Sequence, residues 1–131
     1  MSQERIEIVR AAVSALNRGD WDAALERMAS DFEYDLTRTI SPLRGVHRRD
    51  RMREVMEEFL GPWESVRYEA DDPIAAGDHV VLPFTTHFRG RDGIEVEGRA
   101  TWVWTFRDRA VIRLSLYQDR DEALEAAGLT S

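Results

Sequence analysis

The stretch from His79 to Gln118, HVVLPFTTHFR (79–89), GRDGI (90–94), EVEGRATWVWTF (95–106), RDRA (107–110) and VIRLSLYQ (111–118), decides the fold. Its three long segments are rich in β-branched and aromatic residues that alternate with polar ones, which is the period of a strand with one buried face. Arg91-Asp92-Gly93 supplies hairpin chemistry between the first two, and Arg107-Asp108-Arg109 turns the second into the third. An arginine is a poor occupant of a left-handed turn position, so this second turn is expected to be longer or of another type than an Asp-Gly hairpin. Three long strands joined by tight turns make an antiparallel sheet.

Upstream, Val66 to Ala70 alternates as a further strand. Asp71-Asp72-Pro73 breaks it, and Ala76-Gly77-Asp78 turns into the long strands. The N-terminal half is helical. Over residues 3–18, Ile6, Val9, Val13 and Leu16 recur at helical spacing, and Gly19 suits a left-handed cap. Asp20 can cap a short second helix whose Ala24, Leu25 and Met28 face inward. A short strand is predicted from Phe32 to Leu36, and a loop over 37–49 containing Ser41-Pro42 and Gly45. Asp50 is placed to cap a third helix with Met52, Val55, Met56 and Phe59 on its apolar face, ended by Gly61-Pro62. Asp119 to Glu122 reads as a capping box before a short C-terminal helix stopped by Gly128. Helices first and strands after indicate an α+β domain with the helices gathered on one face of a bent sheet.

The chain has 131 residues, room for one domain over 1–131, and 43% of them are hydrophobic, as in a globular protein. Cysteine is absent, which excludes disulfides and thiolate chemistry. All 18 basic residues are arginines, which excludes a Schiff-base lysine. The net charge of −7 disfavours nucleic-acid binding. The charged N-terminus lacks a signal-peptide run, and no apolar segment nears the ~20 residues of a membrane helix, so the expected location is the cytoplasm. His47, His79 and His87 lack metal-ligand spacing, and neither a glycine-rich phosphate loop nor a Ser-His-Asp signature is present. No metal and no cofactor are expected.

Several motifs, in order, resemble the nuclear transport factor 2-like superfamily, and its SnoaL-like (polyketide cyclase-like) branch in particular. They are ALNRGDWDAAL at 15–25, Pro42-Leu43-Arg44-Gly45 before a charged helix, Gly77-Asp78-His79-Val80-Val81, Phe106-Arg107-Asp108 with Val111-Ile112-Arg113, and Tyr117-Gln118-Asp119 followed by Glu122 to Leu129. The resemblance implies a cone: a strongly curved antiparallel sheet, about three N-terminal helices packed on its concave face, and a short C-terminal helix. The fold hosts many chemistries, so function must be argued from the site.

Two of those chemistries lack their residues. Aligned on the motifs, the tyrosine, base and oxyanion acid of ketosteroid isomerase fall on Ala12, Leu36 and Trp102. The Asp-Arg-Asp set of limonene-epoxide hydrolase would fall on Val81 to Phe84 and Leu114 to Tyr117, where no acid or arginine stands. A SnoaL-like cyclase needs a general acid/base and a shaped apolar pocket. The candidate catalytic residues are Asp35 near the pocket mouth, His87 and Arg99. Strand alternation turns His87 and Arg99 away from the pocket, and a solvated or interface role fits Asp35 and His87 equally. The cluster of Arg44, Arg48, Arg49, Arg51 and Arg53 around His47 reads as a solvated run balanced by Glu54, Glu57 and Glu58, or as an anion grip at a helix start.

Alternation predicts an inward set of Phe32, Tyr34 and Leu36; Leu82, Phe84, Thr86 and Phe88; Trp102, Trp104 and Phe106; and Ile112, Leu114, Leu116 and Gln118. Met52, Met56 and Phe59 add to it from the third helix, and Trp63 is expected at the rim. Such a lining suits a pocket for a small hydrophobic molecule, in a cyclase/isomerase-type enzyme or a non-catalytic binder. It also suits a filled core in a dimerisation domain. A homodimer is expected through the outer sheet face, where Val81, Thr85, Val103 and Thr105 would lie. The residues alone leave these readings open.

Overall fold

The computed structural model describes residues 2–39 and 44–129. Helix α1 (Ser2–Arg18) ends on Gly19 at φ 70°, and the Asp20 side chain accepts from the Ala23 amide to start α2 (Trp21–Leu25). Strand β1 (Met28–Asp35) begins earlier than predicted, so Met28 is a buried strand residue and not part of the second helix. The region read as loop contains a short strand β2 (Val46–Arg48) and a 3-10 turn, Arg49–Arg51, before α3 (Met52–Leu60). Asp50 lies inside that turn and does not cap α3, whose N-cap position is Arg51 with no side-chain hydrogen bond. The turn is held by Arg49, which donates to the carbonyls of Met28 and Leu25. Pro42 and Leu43 lie outside the described residues.

Five strands complete the sheet: β3 (Trp63–Ala70), β4 (Ile74–Ala76), β5 (His79–Gly90), β6 (Glu95–Arg107) and β7 (Ala110–Tyr117). Their order is β2-β1-β7-β6-β5-β3, with β4 beside β5; every pair is antiparallel except β1 and β7, which run parallel. Pro83 sits in the middle of β5 at no cost. Val81 is the last residue of β5 to pair with β4 and Phe84 the first to pair with β3, so the missing N–H of Pro83 falls where the partner changes. Helix α4 (Arg120–Ala126) starts at Asp119, whose carboxylate accepts from the Asp121 amide. Glu122 does not close a capping box; it binds Arg38 instead, at 2.9 Å.

The concave face carries Phe32, Tyr34, Leu36, Leu82, Phe84, Trp102, Trp104, Phe106 and Leu114, all at most 5% exposed, against Val9, Val13, Met52 and Met56 of the helices. Ile112 is a correction. Thr105 pairs with Arg113 but Phe106 pairs with Val111, so Ile112 is the extra residue of a β-bulge. The bulge shifts the phase, and Val111 takes the buried place that alternation gave to Ile112. The β6–β7 turn also resolves: Asp108, not Arg109, adopts the left-handed conformation, at φ 56°.

On the outer face, Val81 and Val103 are buried under Ala123 of α4 and Ala127 just past its end, in the same chain. Thr85 and Thr105 on that face stay half-buried, as does His87.

Polar side chains fix the helices and the mixed pairing. Arg5, buried, donates to the carbonyls of Asp108 and Gly77 and to the Asp78 carboxylate, with its guanidinium over the Phe106 ring. Asn17 bridges to the edge strand: its amide donates to the Tyr68 carbonyl at 2.9 Å and accepts from the Tyr68 N–H at 2.7 Å. Across the parallel pair, Arg113 donates to Glu33 at 2.8 Å and to Asp35 at 2.6 Å.

Two outcomes follow. Asn17→Leu removes both bonds to an otherwise unpaired strand edge and is expected to cost about 1–2 kcal/mol in urea unfolding. For Asp35, burial raises the carboxyl pKa, but hydrogen bonds from Thr37 and Arg113 outweigh it, so the folded value lies below 3.8. The stabilisation is thus present above the unfolded pKa and lost as pH falls through the lowered folded value. Asp35→Asn is expected to lose roughly 1 kcal/mol at neutral pH, the deficit shrinking below about pH 4; a pH-independent deficit in thermal melts would contradict the assignment.

Candidate functional site

Helices α1 and α3 cover the concave face incompletely, and a cavity of about 220 Å³ remains between α3 and strands β3, β5 and β6. It opens where β7 has stopped: pairing between β6 and β7 begins at Thr101 and Tyr117, so Glu95 to Ala100 are paired with β5 alone among the described residues. Gly98 and Ala100 face inward there, opposite Thr86 and Phe84. Two small residues on the inner face of a strand leave the space that larger ones would fill.

The wall is aromatic. Phe84 stacks on Trp102 with centroids 3.8 Å apart, and Tyr68 meets both rings at 6.0 and 5.4 Å. Phe59 packs edge-on against Phe88 at 5.8 Å. The hydrogen-bonding groups are few. The Trp102 indole N–H donates to the Tyr34 hydroxyl at 3.2 Å, which leaves the Tyr34 proton free to donate elsewhere. The Tyr68 and Thr86 hydroxyls make no hydrogen bond among the described residues, yet the one sealed and unpaired side-chain polar atom is Trp104 Nε1. Tyr68 and Thr86 therefore retain access to the cavity they line. Thr39 spends its proton on the Leu36 carbonyl.

Both phenols are neutral at physiological pH. Burial pushes Tyr34 up to about 12, against a smaller lowering by Trp102. Burial, with the nearby Tyr34, pushes Tyr68 higher still. Among the described residues no carboxylate or histidine lines the cavity, and no cluster of His, Asp and Glu is arranged to hold a metal ion. The arrangement can donate hydrogen bonds to an oxygen and enclose an apolar body. It holds no side chain that would be a base at neutral pH.

Of the lining expected from alternation, Tyr34, Leu36, Met56, Phe59, Phe84, Thr86, Phe88, Trp102 and Gln118 are brought together around the cavity. Met52, Trp104 and Leu114 lie deeper, around a separate void of about 20 Å³. Trp63 does not line the cavity; it packs on Phe88 at 4.7 Å. The catalytic candidates stay outside. Asp35 is held on the opposite face by Arg113 and Thr37. His87 lies between Glu69 and Glu97 on the outer face, at 2.7 and 3.3 Å. Arg99 borders the cavity, but its side chain is 81% exposed and lies 4.0 Å from Asp71. In the basic cluster, Arg51 and Arg53 pair with Glu54 and Glu57, and Arg44 donates to the Thr37 carbonyl. These contacts favour the solvated run over the anion grip.

Sequence reasoning missed Tyr68, although the alternation of 66–70 was read. Phase alone gave it two faces to choose from, and only the bonds from Asn17 and the pairing with Thr86 fix which one.

Comparisons with known proteins agree with this architecture. An NTF2-like protein of unknown function from Burkholderia pseudomallei K96243 superposes with a TM-score of 0.79 at 21% identity, covering 93% of this chain and 95% of its own. TerC, crystallised with polyporic acid, gives 0.78 at 20% identity, covering 95% and 98%. A candidate polyketide cyclase from Xanthomonas campestris pv. campestris gives 0.69 at 22% identity, covering 96% and 98%. At these identities the likeness is one of fold. No curated protein matches the chain. The model of the SnoaL-like domain matches residues 9–114, and the chain belongs to that family.

Proposed function

We propose that this SnoaL-like protein binds a small hydrophobic molecule through an acceptor oxygen, such as a carbonyl, without acting on it by general base catalysis. One observation carries the reading: among the described residues, the phenol protons of Tyr34 and Tyr68 are unspent beside an apolar cavity that no carboxylate or imidazole lines. An engineered cavity of ~150 Å³ accepts benzene, so about 220 Å³ suits one substituted ring or two fused rings. The indole N–H on the Tyr34 oxygen polarises its O–H and strengthens it as a donor.

A cyclase/isomerase-type enzyme is the second reading. The family and the structural likeness to a candidate polyketide cyclase support it. Tyr34 would then stabilise an enolate oxygen and the substrate or solvent would take the proton. No helix of the described residues is long and apolar enough to cross a membrane. Homodimerisation through the outer sheet face would use the part that α4 leaves open, with Thr85, His87 and Thr105; light scattering at micromolar concentration tests it, and a monomer rules it out.

The ligand test uses 2-acetylnaphthalene and 2-isopropylnaphthalene, read by quenching of tryptophan fluorescence. The carbonyl compound is expected to bind more tightly, and Tyr34→Phe to weaken it about tenfold, or ~1.4 kcal/mol, with the hydrocarbon unchanged. Equal affinity of both compounds for wild type, or none, overturns the reading. Turnover of a bound ketone that is abolished by Tyr34→Phe would favour the enzyme.

A further inference from the structure

We infer that the ligand carries an anionic group, most simply a carboxylate, which the mouth of the cavity reads through Arg99 and Arg120; this rests on the binding reading above. A groove of about 180 Å³ adjoins the cavity and shares Phe84, Arg99, Ala100 and Gln118 with it. Among the described residues β7 leaves the edge of β6 free at Arg99 and Ala100, so a molecule whose rings lie against Phe84 would reach the groove around that edge. The groove adds Arg120 and Asp71 to the charged groups.

The local charge runs against the whole chain. Acidic residues outnumber basic ones by 25 to 18 overall, yet the groove is lined by two arginines and a single aspartate. These arginines also have donors to spare. Among the described residues Arg99 has only Asp71, at 4.0 Å, the outer limit of an ion pair. Arg120 is exposed and makes no hydrogen bond or ion pair among the described residues. By contrast Arg5, Arg107 and Arg113 are each committed to a carboxylate by hydrogen bonds. Two planar forks with unspent N–H groups, beside the amide of Gln118, match a carboxylate in shape and charge. The cavity floor would hold the apolar body and an acceptor oxygen, and the mouth would hold the acid, so the ligand would be bound in one orientation.

The experiment compares 2-naphthylacetate and 3-(2-naphthyl)propanoate with their methyl esters, for wild type and for the Arg99→Gln/Arg120→Gln double variant. Both side chains are exposed, and circular dichroism checks that the variant is folded. In low salt the better acid is expected to bind about tenfold more tightly than its ester. The advantage should shrink as salt rises, and the double variant should lose it while holding the ester as before. If esters bind but acids gain nothing, or if the variant keeps the preference, the anion site is wrong and the cavity reading stands. If neither acids nor esters bind, both readings fall.

Discussion

Helix α1 lies across the open face of the sheet because a polar side chain near each end locks it there. Near its start, the buried guanidinium of Arg5 is spent on two carbonyls and a carboxylate, in the turns before β5 and after β6. A buried cation is tolerated only when its donors are used in this way. At its end, Asn17 satisfies both backbone groups of Tyr68 on the edge strand. The helix is thereby fixed in angle and depth, and so are the aromatic residues beneath it. Helix α3 is short and covers only part of what remains. The cavity is the space that two helices held at these positions cannot fill.

That arrangement separates the two kinds of polar chemistry. Charged pairs are kept to the outer face and the rims: Arg113 with Glu33 and Asp35, His87 with its two glutamates, Arg107 with Asp31. Around the cavity, away from the buried Arg5, the inward polar groups are hydroxyls, an amide and an indole N–H, which stay neutral where a carboxylate would be costly. The alternation of the strands enforces this division, since each outward charge on β1, β5 or β6 has an inward apolar or hydroxyl neighbour. The same pattern explains why charged residues singled out for catalysis end up outside.

Much of the fold was legible because its signals are local. Gly19, Asp20 and Gly61-Pro62 mark element ends and act as read, and Asp119 caps α4, though through the Asp121 amide and not in a box with Glu122. The inward set on β1, β5 and β6 followed from period two. On β7 it held for Leu114 and Leu116 and failed only at Ile112, which a bulge inserts, and nothing in the one-dimensional pattern marks a bulge. Arg5 and Asn17 were illegible as anchors, since their partners lie 103, 72 and 51 residues away. The cover over Val81 and Val103 was illegible for a related reason: alternation turns them outward, but α4 folds back over them. Of the candidate site, the aromatic wall was readable and the second phenol was not.

Gly98 keeps an ordinary strand backbone, with no left-handed φ that would require glycine. A β-carbon there would meet Phe88 at 3.5 Å, a normal contact. The position is thus conformationally free, and with Ala100 it governs how much room the ligand has. Capacity and foldability are written at different places in this chain. A lineage can therefore resize what it accepts by exchanging one or two residues on β6, while the locks on α1 and the strand pairing go untouched. Such separability lets one scaffold drift among ligands of different bulk without passing through unfolded intermediates in sequence space.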